Sequence, residues 1–230
     1  MARSEAGHYL LVTNAVVGTN GFGNHKHNDQ LSFEYHHSGA PLIVDPGSYV
    51  YTSDADARNR FRSTGYHNTA AIDGVEQNDL RPDFLFRLFE MANAETVSFE
   101  DGPEEVEYVG RHHGYERLPE PVSHERRFRF SKSTGGLLIV DRFTGRGAHT
   151  LRWHFHLAPG ISAERSGATT VLLKGYGRQW PLVVPAGVDL TIDSAEYSPS
   201  YGVTLPCLAV NVSLHETLAG ERLCAFSISP

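Results

Sequence analysis

Alternation of apolar and polar residues with a period of two is the feature that most constrains this chain. It recurs in short runs: His8–Thr13, Leu31–His36, Pro41–Val44, Phe128 and Phe130 followed by Gly136–Val140, then Thr150–Leu157, Thr169–Leu173, Val188–Ile192, Leu208–Leu214 and Arg222–Ile228. Such a period sends successive side chains to opposite faces of a strand. Turn-forming pairs separate the runs, among them Ser38-Gly39, Pro46-Gly47, Asp73-Gly74, Gly135-Gly136 and Pro159-Gly160. One stretch reads as helix, Asp54–Arg62, with Asp54 as its cap and Ala55, Arg58 and Arg62 on one face. Many short strands with little helix predict an all-β fold, a large two-sheet antiparallel β-sandwich. No linker, repeat or low-complexity tract interrupts it, so residues 1–230 read as one unit.

Composition narrows the functional classes. With 27 acidic and 20 basic side chains the net charge is -7, which argues against a general nucleic-acid binder. No apolar run approaches the roughly 20 residues of a membrane span, and Met1–Gly18 lacks the pattern of a secretory signal. Cys207 and Cys224 are the only cysteines and lie in separate predicted strands. Any metal must therefore be held by imidazole and carboxylate, and the chain has 13 histidines.

The polar chemistry crowds into Asn24–Asn68. In Asn24-His25-Lys26-His27-Asn28-Asp29 an extended backbone would point His25, His27 and Asp29 to one face, a first candidate set for zinc or another first-row divalent ion. The competing reading is a turn of hydrogen-bonded histidines. Two familiar His-x-His patterns fit badly. Gln30 stands where a metallo-β-lactamase-like hydrolase needs a further His, and Glu34 is too distant for a cupin. Trp153-His154-Phe155-His156 puts two imidazoles on one strand face and reads as ordinary sheet.

A longer pattern matches better. The stretch HKHNDQLSFEYHHSGAPLIVDPGSYVY, followed by RNRFRSTGYHNTAAIDG, resembles the C-terminal domain of the heparinase II/III-like polysaccharide lyases. Three blocks appear in the family's order: His-x-His-x-Asp, Val-Asp-Pro-Gly-x-Tyr, and Phe-Arg-Ser-Thr-x-x-His-Asn-Thr with a closing Asp-Gly. Lys26 replaces the usual glycine and Ile72 the common valine. The resemblance implies a supersandwich with one zinc, or calcium in its place, held by His27, Asp45 and His67, and Asp29 orienting an imidazole from behind. It implies β-elimination at a uronic acid of an anionic polysaccharide, heparan-, alginate- or exopolysaccharide-like. His25 would be the catalytic side chain facing substrate, with Asn24, Tyr49, Arg58 and Arg62 binding it. It further implies that the principal base sits on an N-terminal helical toroid domain, absent from this chain and supplied in cis or trans. The parent protein would be periplasmic or extracellular, and this chain alone would have little activity.

Two rival readings remain. One is a non-catalytic carbohydrate-binding or assembly module of a polysaccharide-synthesis system with a structural metal. The other is a stand-alone cupin-type enzyme whose ligands include His25 and His27 together.

Overall fold

Two antiparallel sheets share the core of the computed structural model, which describes residues 1–229. The smaller runs β1 (Ala2–Arg3), β2 (Tyr9–Thr13), β3 (Ser32–His37) and β4 (Ala40–Ile43) in that order. The larger holds β5 (Ala70–Ile72), β6 (Glu95–Asp101), β7 (Glu105–His112), β8 (Val122–Ser131), β9 (Leu137–His156), β10 (Ser162–Arg165), β11 (Thr170–Gly175), β12 (Arg178–Val183), β13 (Asp189–Ser200) and β14 (Val203–Ile228). Its strand order is β10-β11-β12-β14-β9-β8-β7-β6, with β13 paired to β14 and β5 to β9. This is the all-β sandwich that the alternation predicts. A single-turn α1 (Gly18–Gly21) and a longer α2 (Ala55–Arg62) complete the structure.

Helix α2 begins where Asp54 caps it: Oδ1 accepts from the Ala57 amide at 2.9 Å, satisfying a donor that the first turn leaves unpaired. Ala57, Arg58, Phe61 and Arg62 form its buried face.

Strands β9 and β14 are longer than the separate runs predicted for them. They pair continuously from Ala209 opposite His156 to Ile228 opposite Leu137. Gly145 lies opposite Gly220 in this ladder, where the alternation weakens in the sequence but the pairing carries on. Strands β6 and β7 escape the pattern; β6 is the open edge of the sheet and carries Glu95, Glu100 and Asp101, and β7, between β6 and β8, carries Glu105 and Glu107. Charge on an edge strand discourages pairing with another chain.

Aromatic side chains fill the space between the sheets. Phe33 of the small sheet meets Phe128 and Phe155 of the large one at 5.6 and 6.3 Å between ring centres. The same inward rows of β8 and β9 carry an ionic cluster with no exposed atoms to speak of. Arg126 grips Asp141 through Nε and NH2 at 2.6 and 2.8 Å, His124 Nε2 lies 2.7 Å from the same carboxylate, and Trp153 Nε1 donates to it at 2.8 Å. Burial alone would raise the Asp141 pKa, but Arg126 and His124 hold it far below the usual carboxylate range. Arg126 NH1 also donates to the carbonyls of Leu31 and Asn68 at 2.9 and 2.8 Å. The core charge is thereby tied to the two segments that follow His27 and precede β5.

Candidate functional site

One edge of the sandwich gathers the three conspicuous sequence blocks. Residues 22–31 are a succession of turns leading into β3, residues 44–51 leave β4 as irregular chain, and α2 passes through a 3-10 turn, Thr64–Tyr66, to His67. Asn68 fastens them together. Its Nδ2 donates to the carbonyls of Phe33 and Val44, both at 2.8 Å, its Oδ1 accepts from the His156 amide at 2.6 Å, and its own amide donates to Ser32 Oγ at 3.0 Å. Buried amide side chains are stable only when so fully paired.

Asp45 gains its orientation from the Pro46-Gly47 turn. Its Oδ1 accepts from the Gly47 amide at 2.9 Å, and its Oδ2 lies 3.0 Å from Nδ1 of His67. Gly47 has φ of +84°, and a Cβ there would stand 2.3 Å from the Ser198 carbonyl oxygen, so glycine is required. Ser198 answers by donating its amide to the Pro46 carbonyl at 2.8 Å.

His27 is buried and its ring centre lies 5.2 Å from that of His67. Its Nε2 has Ser48 Oγ and Arg58 NH1 at 3.4 Å. Burial and the neighbouring His67 lower the His27 pKa to about 3, so its imidazole is neutral. For Asp45, burial acts upward, but His67 and the Gly47 amide prevail and bring it to about 2. Burial likewise opposes charge on His67, and Asp45 overcomes it, so the His67 pKa is raised. His67 Nε2 is buried without any hydrogen-bond partner.

The structure thus brings His27, Asp45 and His67 into one neighbourhood. Among the described residues, no three His, Cys, Asp or Glu side chains stand around a common point at ligand distance. It does not bring His25, His27 and Asp29 together. The segment is turned rather than extended, so the period of two does not apply to it. His25 is exposed, His27 is buried, and Asp29 pairs with Lys26 at 2.5 Å instead of with an imidazole.

His25 stands edge-on to two aromatic rings, Tyr51 at 5.4 Å and 80° and Phe86 at 6.3 Å and 76°. Asn24 is half-buried, and its carbonyl accepts from Arg58 NH2 at 3.4 Å. Tyr49, at φ +53°, packs on Phe61 at 5.4 Å. Arg58 and Arg62 correct the reading of them as cations facing substrate, because both are 0 % exposed. Arg58 lies beneath the Tyr51 ring, 4.7 Å from its centre. Arg62 donates to Asn59 Oδ1 at 3.0 and 2.8 Å and to the carbonyls of Leu85, Arg87, Arg81 and Phe84, which shapes the loop carrying Phe86.

With this geometry in view, comparison with known proteins is decisive about kinship. A family model described as heparinase II/III-like, C-terminal, matches residues 1–225. The chain belongs to the heparinase II/III-like C-terminal family. Among solved structures, this heparinase II/III-like domain resembles a heparan sulfate lyase, HepC, from Pedobacter heparinus, with 18% identity, a TM-score of 0.79, and coverage of 98% of this chain and 34% of that one. It also resembles the heparinase III BT4657 gene product, with 21% identity, a TM-score of 0.75, and coverage of 100% and 36%. A further heparinase III superposes at 16% identity and a TM-score of 0.73, covering 98% and 34%. The domain therefore spans about a third of the length of these structures. No curated protein sequence matches it.

Several residues of this candidate site carry no sequence signal. Phe86 and Tyr201 reach it from a loop and from the turn between β13 and β14, and carry no motif. Asn68 was within reach, since it follows His67 directly in the third block, but its role depends on partners in three other segments. Tyr66 stacks on His154 at 5.8 Å and 25°, and His154 Nε2 lies 3.0 Å from His156 Nδ1. The two histidines of Trp153-His154-Phe155-His156 therefore line the back of the site as a hydrogen-bonded pair.

Proposed function

We propose that this domain is the C-terminal part of a polysaccharide lyase that cleaves uronic-acid-containing glycans by β-elimination, forming one wall of the cleft. The observation that carries the reading is the placement of His25, exposed on an aromatic surface at the rim of the His27, Asp45 and His67 group. Kinship with heparinase III and heparan sulfate lyase supports a polysaccharide substrate.

In β-elimination the proton alpha to a carboxylate is removed, the glycosidic bond beta to it breaks, a carbon–carbon double bond forms, and the leaving oxygen takes a proton. Charge builds on a group that is already negative, so donors aimed at the carboxylate lower the barrier. His25 would supply one such donor and Asn24 another, with Tyr49 bordering the same wall. The principal base would come from a helical toroid domain, in cis or in trans.

His27, Asp45 and His67 would hold a metal ion. The fit rests on His67 Nε2, a buried nitrogen with no partner, in a ring whose other nitrogen, Nδ1, lies 3.0 Å from Asp45 Oδ2. Two imidazoles with one carboxylate suit zinc; calcium prefers an all-oxygen shell. The ion would supply electrostatic and structural support by binding three segments into one wall.

The test is formation of the unsaturated product from uronic-acid oligosaccharides by the chain, with and without a helical partner domain. Little turnover alone, turnover on adding the partner, and a loss of roughly 100-fold in His25→Ala would bear out the reading. Absence of turnover with the partner would contradict it.

A further inference from the structure

The outer face of the large sheet holds a cavity of about 520 Å³ that none of the residues discussed around His25 lines. Trp153 and Val212 point into the core, so their neighbours along β9 and β14 point outward and form its floor. One row of that floor runs through His154, Asn211 and Thr191, which lie opposite one another on β9, β14 and β13. Its side chains are satisfied. His154 Nδ1 lies 2.8 Å from Asn211 Oδ1, Asn211 Nδ2 donates to Asp193 Oδ2 at 2.8 Å, and Thr191 Oγ1 donates to the same oxygen at 2.6 Å. The next row runs from Ala71 on β5 through Arg152 and Ser213 to Asp189. The side chains of Arg152, Ser213 and Asp189 have no hydrogen-bond or ion-pair partner among the described residues.

The walls are fastened independently of any ligand. Asp73 holds one of them to β9, its Oδ1 accepting from the Thr150 amide at 2.8 Å and its Oδ2 lying 2.7 Å from His149 Nδ1. Glu76 ties that wall to the facing turn, its Oε2 accepting from the Thr64 amide and hydroxyl, both at 2.7 Å. A preformed cavity with one saturated row and one free row has the build of a ligand site.

Neighbouring strands lie about 4.8 Å apart, so a guanidinium, a hydroxyl and a carboxylate stand in line over about 10 Å. The guanidinium calls for a carboxylate, the aspartate for donors, and the serine for either. Ala71 and Val75 add carbon surface to the lining. Asp189 and Glu76 outnumber Arg152 there, so a second anion on the ligand would meet repulsion. A wholly apolar ligand would strip water from Arg152 and Asp189 and replace none of it.

We propose that Arg152, Ser213 and Asp189 form a further ligand site for a hydroxylated ring bearing a single carboxylate, the chemistry of a free sugar acid. It stands whether or not the chain takes part in β-elimination.

Titration of the isotope-labelled full chain with glucuronate, methyl glucoside and acetate tests it, read by NMR amide shifts. Glucuronate is expected to move the amides around Ala71, Arg152, Asp189 and Ser213, and to bind at least tenfold more tightly than either of the other two. Arg152→Gln should weaken glucuronate tenfold or more and Asp189→Asn about threefold. Both side chains are exposed and unpaired among the described residues, so both variants should keep the wild-type urea midpoint. Shifts confined to the surroundings of His25, no shifts at all, acetate or methyl glucoside binding as tightly as glucuronate, or wild-type affinity in Arg152→Gln would each overturn the site. None of these outcomes contradicts the β-elimination reading, which is judged by its unsaturated product.

Discussion

Asn68 Nδ2 donates to the Val44 carbonyl at 2.8 Å, and so sets the residue after Val44 opposite the residue before Asn68. Those neighbours are Asp45 and His67, 3.0 Å apart. The site's central pair is thus positioned from behind by a side chain that touches neither.

Asn68→Ala should therefore cost stability as well as order. It strips a donor from the buried carbonyls of Phe33 and Val44 and an acceptor from the His156 amide. A loss of about 2–4 kcal/mol is expected at one to three kcal/mol per abandoned group, with partial relaxation. Urea denaturation of the variant measures it; a midpoint equal to the wild type's would contradict the clamp.

Gly47→Ala should disturb the same pair from the other side. The substitution forces a side chain onto a φ of +84° and against the Ser198 carbonyl. Destabilisation by about 2 kcal/mol or more is expected. The NMR shifts of the Asp45 and His67 side chains should move with it, whereas those of Arg126 and Asp141 should not.

The buried ionic cluster makes a sharper demand. Arg126→Met leaves Asp141 in the core without its main cation, which should cost about 3–5 kcal/mol. Adding Asp141→Asn to that variant should recover part of the loss, because the stranded charge is gone. Equal stability of the single and double variants would show that the charge is not what matters.

How much of this was legible differs by element. The Asp54 cap, the helix after it and the alternating strands are local chemistry, and the structure has them where the pattern predicts. The neighbourhood of His27, Asp45 and His67 was legible only through resemblance, because no local rule links segments 18 and 22 residues apart. Period-two reasoning placed His25, His27 and Asp29 together and failed, since residues 22–31 turn instead of extending. Arg58 and Arg62 misled for another reason. An arginine cluster on a negative chain reads as an anion clamp, but these guanidiniums spend their donors on carbonyls, an amide side chain and an imidazole inside the fold. Phe86 and Tyr201 join the site through tertiary contact alone, so nothing local marks them.

Acid should weaken the fold well before the carboxylates titrate. Burial lowers the pKa of His154 to about 4 and that of His156 to about 3, with His154 adding to the effect on His156. Burial lowers His112 and His124 as well. In the unfolded chain these imidazoles take up protons from about pH 6.5 downward. Between there and about pH 4 the unfolded state binds more protons, so stability falls with falling pH, by roughly 1.4 kcal/mol per pH unit for each such histidine. Urea midpoints measured from pH 7.5 down to pH 4.5 in the presence of a chelator should decline steadily below about pH 6.5. A flat profile to pH 5 would contradict burial of neutral imidazoles.

Elemental analysis of the purified chain, beside Asp45→Ala and Asp29→Ala, tests the central claim most directly. The account predicts near-stoichiometric zinc in the wild type and in Asp29→Ala, whose carboxylate serves Lys26, and its loss from Asp45→Ala. Zinc retained by Asp45→Ala and lost from Asp29→Ala would contradict it and return the ligands to the local His-x-His-x-Asp segment.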